Sequence, residues 1–233
     1  MFRLALDQSA ANARALNYGE QPGTSTKRSM IVFSSAMRVV PRVTPERLED
    51  LAMTAYNELQ ETIIQNNIGG SSRPKALTIL HADGKLYVSS SARGASPPAS
   101  WQANLSVDTR TEISTALDDL DSAIPGAGHD RRANCGEILA LHQWHLDNPG
   151  STFRELSMNG GVLATVGVER RNGKRVLVVK KPCEAVDPRY GCLKVVKTLD
   201  LMYLDGEDRH PQLRRSSPDI TLYDHWQIAL FPE

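Results

Sequence analysis

Two dipeptides, Asp83-Gly84 and Asn172-Gly173, each join two runs of apolar and β-branched residues, and each requires the chain to fold back on itself as antiparallel strands. Asp-Gly and Asn-Gly tolerate the positive φ angles of a two-residue hairpin turn. KALTILHADGKLYVSSS is therefore expected to form a hairpin over 75–90. A second hairpin is expected in GGVLATVGVERRNGKRVLVVKKPC, running straight into Pro182-Cys183.

Helical spacing alternates with these strands. Thr44 is a helix N-cap followed by Pro45 at the first helical position, with Glu46, Glu49 and Asp50 early. Leu48, Leu51, Ala52, Ala55, Leu59 and Ile63 repeat at helical intervals as far as Asn66–Gly70, which predicts an amphipathic helix. A second helix is expected over 132–147, its first turn holding Asn134-Cys135-Gly136-Glu137, and a third over about 192–203. Between them, 92–129 reads as a long excursion with a helix near 108–123, the kind of insertion that often forms a lid or lines a substrate site. Residues 1–40 read as a partly irregular N-terminal arm, although MIVFSSAMRVV at 30–40 is strand-compatible. The tail offers strands near 220–223 and 227–231. The expectation is one α/β domain over 41–233, a mixed sheet with helices packed against it.

Lysine plus arginine and aspartate plus glutamate number 27 each, so the chain has no net field to draw it toward polyanions. Phosphate binding has to come from local patches: Arg131 and Arg132, Arg170–Arg175, Lys180 with Lys181, or Arg209–Arg215. No stretch of eighteen apolar residues and no secretory signal pattern occurs, so no membrane partner is expected and a cytoplasmic or nuclear location is the default.

Three cysteines cannot pair completely within one chain, and reduced thiols suit an intracellular protein. A catalytic zinc takes three protein ligands and leaves a fourth position for water, and thiolates are good donors for it. Cys135, Cys183 and Cys192 are enough for such a site. Cys135 at a helix start would have its thiolate favoured by the free N–H groups there, and Glu137 two residues on could reach the same cavity if the first turn is irregular.

Cys135-Gly136-Glu137 resembles the Cys/His-x-Glu signature of the cytidine-deaminase-like superfamily, and Pro182-Cys183 with Cys192 resembles its Pro-Cys-x-x-Cys signature. The element order over about 45–231 is also similar: a leading helix and a hairpin before the first motif, then a strand leading into the second. The resemblance implies a three-layer cytidine-deaminase-like fold with Zn2+ held by Cys135, Cys183 and Cys192. It also implies Glu137 as the general acid/base that moves a proton from water to a ring nitrogen and on to the departing amine. The substrate would be a nucleobase, cytosine ahead of adenine, in a nucleoside, a nucleotide or a nucleic acid, with single-stranded nucleic acid left open. Asn134, the Gly136 backbone and His129 are the candidate substrate contacts, with a helix N-cap the ordinary role for Asn134.

Eight residues separate Cys183 from Cys192 where the signature has two, as fits a diverged fungal or toxin-type branch. That departure keeps a second reading open, a catalytically inactive deaminase-fold interaction module with a structural zinc. A third takes Cys135 as a nucleophile with His142 or His145 as its base. Trp101 and Trp144 are candidates for base stacking, with core packing the ordinary role.

Overall fold

The computed structural model describes residues 1–8, 31–40, 43–93, 134–184, 191–206 and 220–230, together with 115, 117, 119, 120 and 122. The helix signalled by Thr44-Pro45 is α1 (Pro45–Gln65), and the Thr44 hydroxyl accepts the Arg47 amide at its start. Its apolar stripe, Leu48, Leu51, Ala52, Ala55, Tyr56, Leu59 and Ile63, is buried throughout.

Both turn dipeptides form the hairpins they signal. Strands β3 (Ala76–Ala82) and β4 (Lys85–Ser90) meet at Asp83 (φ 49°) and Gly84 (φ 71°). Strands β5 (Val162–Arg171) and β6 (Lys174–Lys180) meet at Asn172 (φ 51°) and Gly173 (φ 77°). With β1 (Ala5–Leu6) and β2 (Phe33–Val40) they form a sheet in the order β1-β2-β4-β3-β5-β6. Two further strands complete it: β7 (Met202–Tyr203) beside β5, the one parallel pair described, and β8 (Thr221–Trp226) against β2.

Helices α2 (Gly136–Asp147), α3 (Phe153–Met158) and α4 (Cys192–Thr198) contribute to one hydrophobic cluster, and α1 contributes to another. The strands divide their side chains between these clusters at the two-residue period of a pleat. On β3, Leu77 and Ile79 join the α1 cluster while Leu80 and Ala82 join that of α2. The protein is thus mixed α/β, and its near-continuous apolar strand runs reflect burial on both faces.

Several expectations change. The strand-compatible run at 30–40 forms β2, as read, but the start of the expected arm packs into the core: Phe2 and Leu4 are buried, and the Glu58 carboxylate of α1 accepts the Phe2 and Leu4 amides at 2.7 and 2.9 Å. Helix α2 begins at 136, because the Asn134 carbonyl is bonded to the Ala92 amide and Cys135 is extended. Helix α4 ends at Thr198, just before Asp200 adopts a left-handed φ of 53°. No strand forms over 227–230, because the Leu230 amide and carbonyl are taken by the side chains of Asp7 and His142. The capping box of Thr152 and Glu155 makes α3, an element not expected. Of the helix near 108–123, the five described residues are helical and Leu117 and Leu120 are buried; the rest lies outside the described residues, as do His129, Arg131 and Arg132.

Helix α2 is held at its far end by a polar latch. Asp147 accepts from Lys85 Nζ at 2.9 Å and from the Tyr87 hydroxyl at 2.7 Å, and Asn148 donates to Tyr87 at 3.1 Å. Midway along, His142 is fully buried, and its Nε2 lies 2.8 Å from the Leu230 carbonyl. A carbonyl only accepts, so Nε2 carries the proton.

Burial drives the His142 pKa down to about 4. Below about pH 6.5 the unfolded chain takes up a proton at this ring that the folded protein refuses until pH nears 4, so stability falls as pH drops through that window, by about 3 kcal/mol. His142→Gln keeps an amide donor and does not titrate. Urea unfolding at pH 7, 5.5 and 4.5 should show a shallower decline for this variant than for wild type; equal declines would exclude His142 as the cause.

Candidate metal centre

The three cysteines come from three differently built segments. Cys135 is the N-cap of α2, with φ −84° and ψ 149°. Cys183 follows Pro182 just beyond β6, and Cys192 is the first residue of α4 behind Gly191. All three are free thiols whose sulfurs lie within 4.8 Å of one another, Cys135 Sγ and Cys183 Sγ being 4.0 Å apart. A tetrahedral centre with metal–sulfur bonds of about 2.3 Å sets its thiolates about 3.8 Å apart, so the cluster could close on an ion with small movements. The Cys192 amide donates to Cys183 Sγ at 3.4 Å, and the Leu193 amide to the Cys183 carbonyl at 3.1 Å, which ties the loop carrying Cys183 to the start of α4.

Gly136 brings the first of these cysteines to the sheet. A Cβ at this position would lie 2.7 Å from Thr78 Oγ1 and 2.9 Å from the Ser89 carbonyl oxygen, so only glycine lets α2 start this close to β3 and β4. Because Cys135 is extended and not helical, the large angular offset that two residues of helix would impose does not apply, and Glu137 lies beside the cluster, within hydrogen-bonding reach of Cys192.

Glu137 is buried, and burial is the main reason its pKa rises to about 7. The nearby Cys183 sulfur raises it further, while hydrogen bonds from its own backbone, from Thr165 and from Cys192 pull the other way. Thr165 Oγ1 lies 2.8 Å from Thr78 Oγ1. With the Thr165 proton given to the carboxylate, Thr78 has to donate to Thr165, making a relay from β3 through β5 to Glu137. Contact with Cys183 and burial push the Cys135 thiol up, and burial with its thiol neighbours does the same to Cys192. Four groups that become anionic on losing a proton thus crowd one poorly solvated space. A cation is the partner that reverses their preference, since a coordinating thiol gives up its proton outright. Thiolate donors suit zinc or copper(I).

Of the residues singled out in the sequence, Cys135, Glu137, Cys183 and Cys192 come together, with Gly136 beneath them. Asn134 stands next to the site, but Cys135 and not Asn134 is the helix N-cap. The nucleophile reading of Cys135 fails on geometry: His142 and His145 lie about 10 and 15 Å further along the axis by the helical rise, and Cys135 has a raised pKa. Trp144 is buried and packs on Phe153 at 5.4 Å, a core role; Trp101 lies outside the described residues. Thr78 and Thr165 were missed, although each is a polar residue inside an apolar strand run, the available signal for an inward-facing hydroxyl.

Comparison with protein-family models, with curated proteins and with solved structures finds no match. No helix among the described residues is long and apolar enough to cross a membrane. What identifies the site is its own geometry, a three-cysteine cluster that could hold a metal ion beside a buried carboxylate.

Gly136→Ala sets two effects against each other. Helix propensity favours alanine by up to about 1 kcal/mol, but the contact at 2.7 Å forces strain of about 1–3 kcal/mol. The expected outcome is net destabilisation in urea unfolding together with reduced metal content. A variant as stable as wild type, with full metal content, would show that α2 need not start so close to the sheet.

Proposed function

We propose that this chain is a zinc-dependent hydrolase that deaminates a nucleobase, cytosine ahead of adenine, on a cytidine-deaminase-like fold. The observation that carries this reading is Glu137: a buried carboxylate with its pKa near 7, beside three convergent sulfurs and not one of them. The element order supports it, since α1 and the β3–β4 hairpin precede the helix bearing Cys135 and Glu137, and β6 leads into Pro182-Cys183.

The donor set fits zinc, with Cys135, Cys183 and Cys192 as its holders. Bound there, zinc supplies Lewis acidity that makes water nucleophilic near neutral pH. The carbon bearing the exocyclic amine gains a bond to the oxygen of water and loses its C–N bond. One proton of the water goes to the ring nitrogen, and the other leaves with the amine as ammonia. Glu137 carries both transfers, and a carboxyl group whose pKa lies near 7 is well matched to taking and giving protons at neutral pH. The Thr78–Thr165 relay holds its carboxylate in place. The backbone N–H groups of Gly136 and Cys183 are the proposed partners of the base carbonyl, with Asn134 at the edge of the same site.

Two variants separate holding the metal from using it. Cys183→Ser should lower bound zinc from about one per chain. Glu137→Gln should keep the zinc and reduce ammonia release from cytosine or adenine substrates by at least about a hundredfold. Turnover surviving in Glu137→Gln would remove the assignment. Zinc in the wild type with no turnover on any cytosine or adenine nucleoside, nucleotide or oligonucleotide would favour the interaction-module reading.

A further inference from the structure

The β5–β6 hairpin extends past the rest of the sheet. β3 pairs with β5 only from Val162 to Gly167, so Val168–Arg171 and Lys174–Leu177 continue as a two-stranded ribbon beyond it. Between positions 169 and 181 this ribbon and its exit carry six basic side chains and one carboxylate, within a chain of zero formal net charge. Glu169 is already engaged by Arg171 at 3.4 Å and by Lys180 at 3.3 Å, and Lys181 pairs with Glu184. Arg170, Arg171, Lys174 and Arg175 are exposed at the tip.

This ribbon is joined directly to the metal centre. Lys180 is the register partner of Thr165, whose hydroxyl reaches Glu137, and two residues after Lys181 the chain arrives at Cys183. Residues facing each other across a ladder share a face, so Lys180, Glu169, Arg171 and Lys174 point to the same side of the sheet as Thr165. The Lys180 side chain lies along that side, its Cε 2.8 Å from where a Cβ on Gly167 would be. From Lys174 to Lys180 the face runs about 20 Å at the rise of a strand.

We propose that the β5–β6 ribbon binds the phosphate backbone of a single-stranded nucleic acid and leads it to the Cys135–Cys183–Cys192 centre. The proposal deepens the deaminase reading and rests on it for the fate of the base. It narrows the substrate from any nucleobase compound to a polynucleotide. Basic groups on an exposed strand pair track a polyanion without reading its sequence. An anionic membrane is disfavoured because the turn, Asn172-Gly173, offers no apolar side chain to insert. Basic residues on an edge strand also discourage edge-to-edge aggregation, which predicts no nucleic-acid affinity and makes the two roles separable.

The test is fluorescence anisotropy with a labelled mixed-sequence twenty-nucleotide RNA and its DNA counterpart. It uses the zinc-loaded full chain, the variant Arg171→Ser/Lys174→Ser on the Thr165 face, and as a control Arg170→Ser/Arg175→Ser on the opposite face, which should bind more nearly as wild type, with zinc content and melting temperature checked for all three. With three phosphate contacts, from Arg171, Lys174 and Lys180 on the Thr165 face, wild-type affinity should fall roughly twentyfold between 50 and 200 mM salt, and the Arg171→Ser/Lys174→Ser variant should bind at least tenfold more weakly at the lower salt. No binding, equal binding by the variant, or binding to phosphatidylserine vesicles in place of the oligonucleotides would each overturn the proposal. Binding needs no turnover, so ribbon-dependent binding without ammonia release supports the ribbon and counts against the deaminase reading alone. Ammonia release from cytidine without oligonucleotide binding does the reverse.

Discussion

The approach of Gly136 to the sheet is the contact from which the rest of the site follows. Its missing Cβ lets α2 begin against Thr78 and the Ser89 carbonyl, and the latch of Asp147 with Lys85 and Tyr87 fixes the other end of the helix to β4. A helix anchored at both ends over the same hairpin cannot slide or tilt. Its N-cap sulfur and its second residue, Glu137, therefore occupy fixed positions relative to β5. Cys183 and Cys192 then need only a short loop and a helix start to reach the same point, and the Cys192 amide bonded to Cys183 Sγ shows how closely those segments are joined.

Electrostatically the site is costly as long as it holds only protons. Three thiols and a carboxylate lie in a space that solvates anions poorly, and burial with the neighbouring Cys183 sulfur makes Cys135, Glu137 and Cys192 reluctant to ionise. A core selected for stability alone would fill such a space with apolar side chains, because buried polar groups contribute little beyond what well-packed hydrocarbon provides. The neighbouring hydroxyls argue the same way. Thr78 and Thr165 stand where the two-residue pattern of β3 and β5 places apolar residues, and their bonds converge on the carboxylate. Function is the economical explanation for a polar cluster in that position.

Local signals were the most legible part of the sequence. Asp83-Gly84, Asn172-Gly173 and Thr44-Pro45 act within four residues, and each element they announce is present. The cysteine cluster was also readable, because all three cysteines stand at element boundaries. What could not be read depends on tertiary partners. The amides of Phe2 and Leu4 find the Glu58 carboxylate more than fifty residues away, and that contact draws the start of the supposed arm into the core. The strand expected at 227–231 is prevented by two side chains, Asp7 and His142, that no local pattern connects to Leu230. The start of α2 shifted for the same reason, with Ala92 claiming the Asn134 carbonyl.

Strand register transmits these constraints to the chemistry. Thr165 faces Glu137 only because β5 pairs with β3 as Thr78 opposite Thr165, and a slip of one residue would turn Ala164 or Val166 toward the carboxylate. That register is held from both sides. Leu77, Ile79, Ala164 and Val166 fill the α1 cluster, where a hydroxyl would have no partner, and Leu80 and Leu163 fill the cluster beneath α2. The β5–β6 register continues the same frame outward, placing Lys180 beside Thr165 and delivering Cys183 three residues later. The apolar packing of the α1 layer, a cluster separate from the one that the cysteines pack against, therefore determines which hydroxyl meets Glu137 and where the second cysteine arrives.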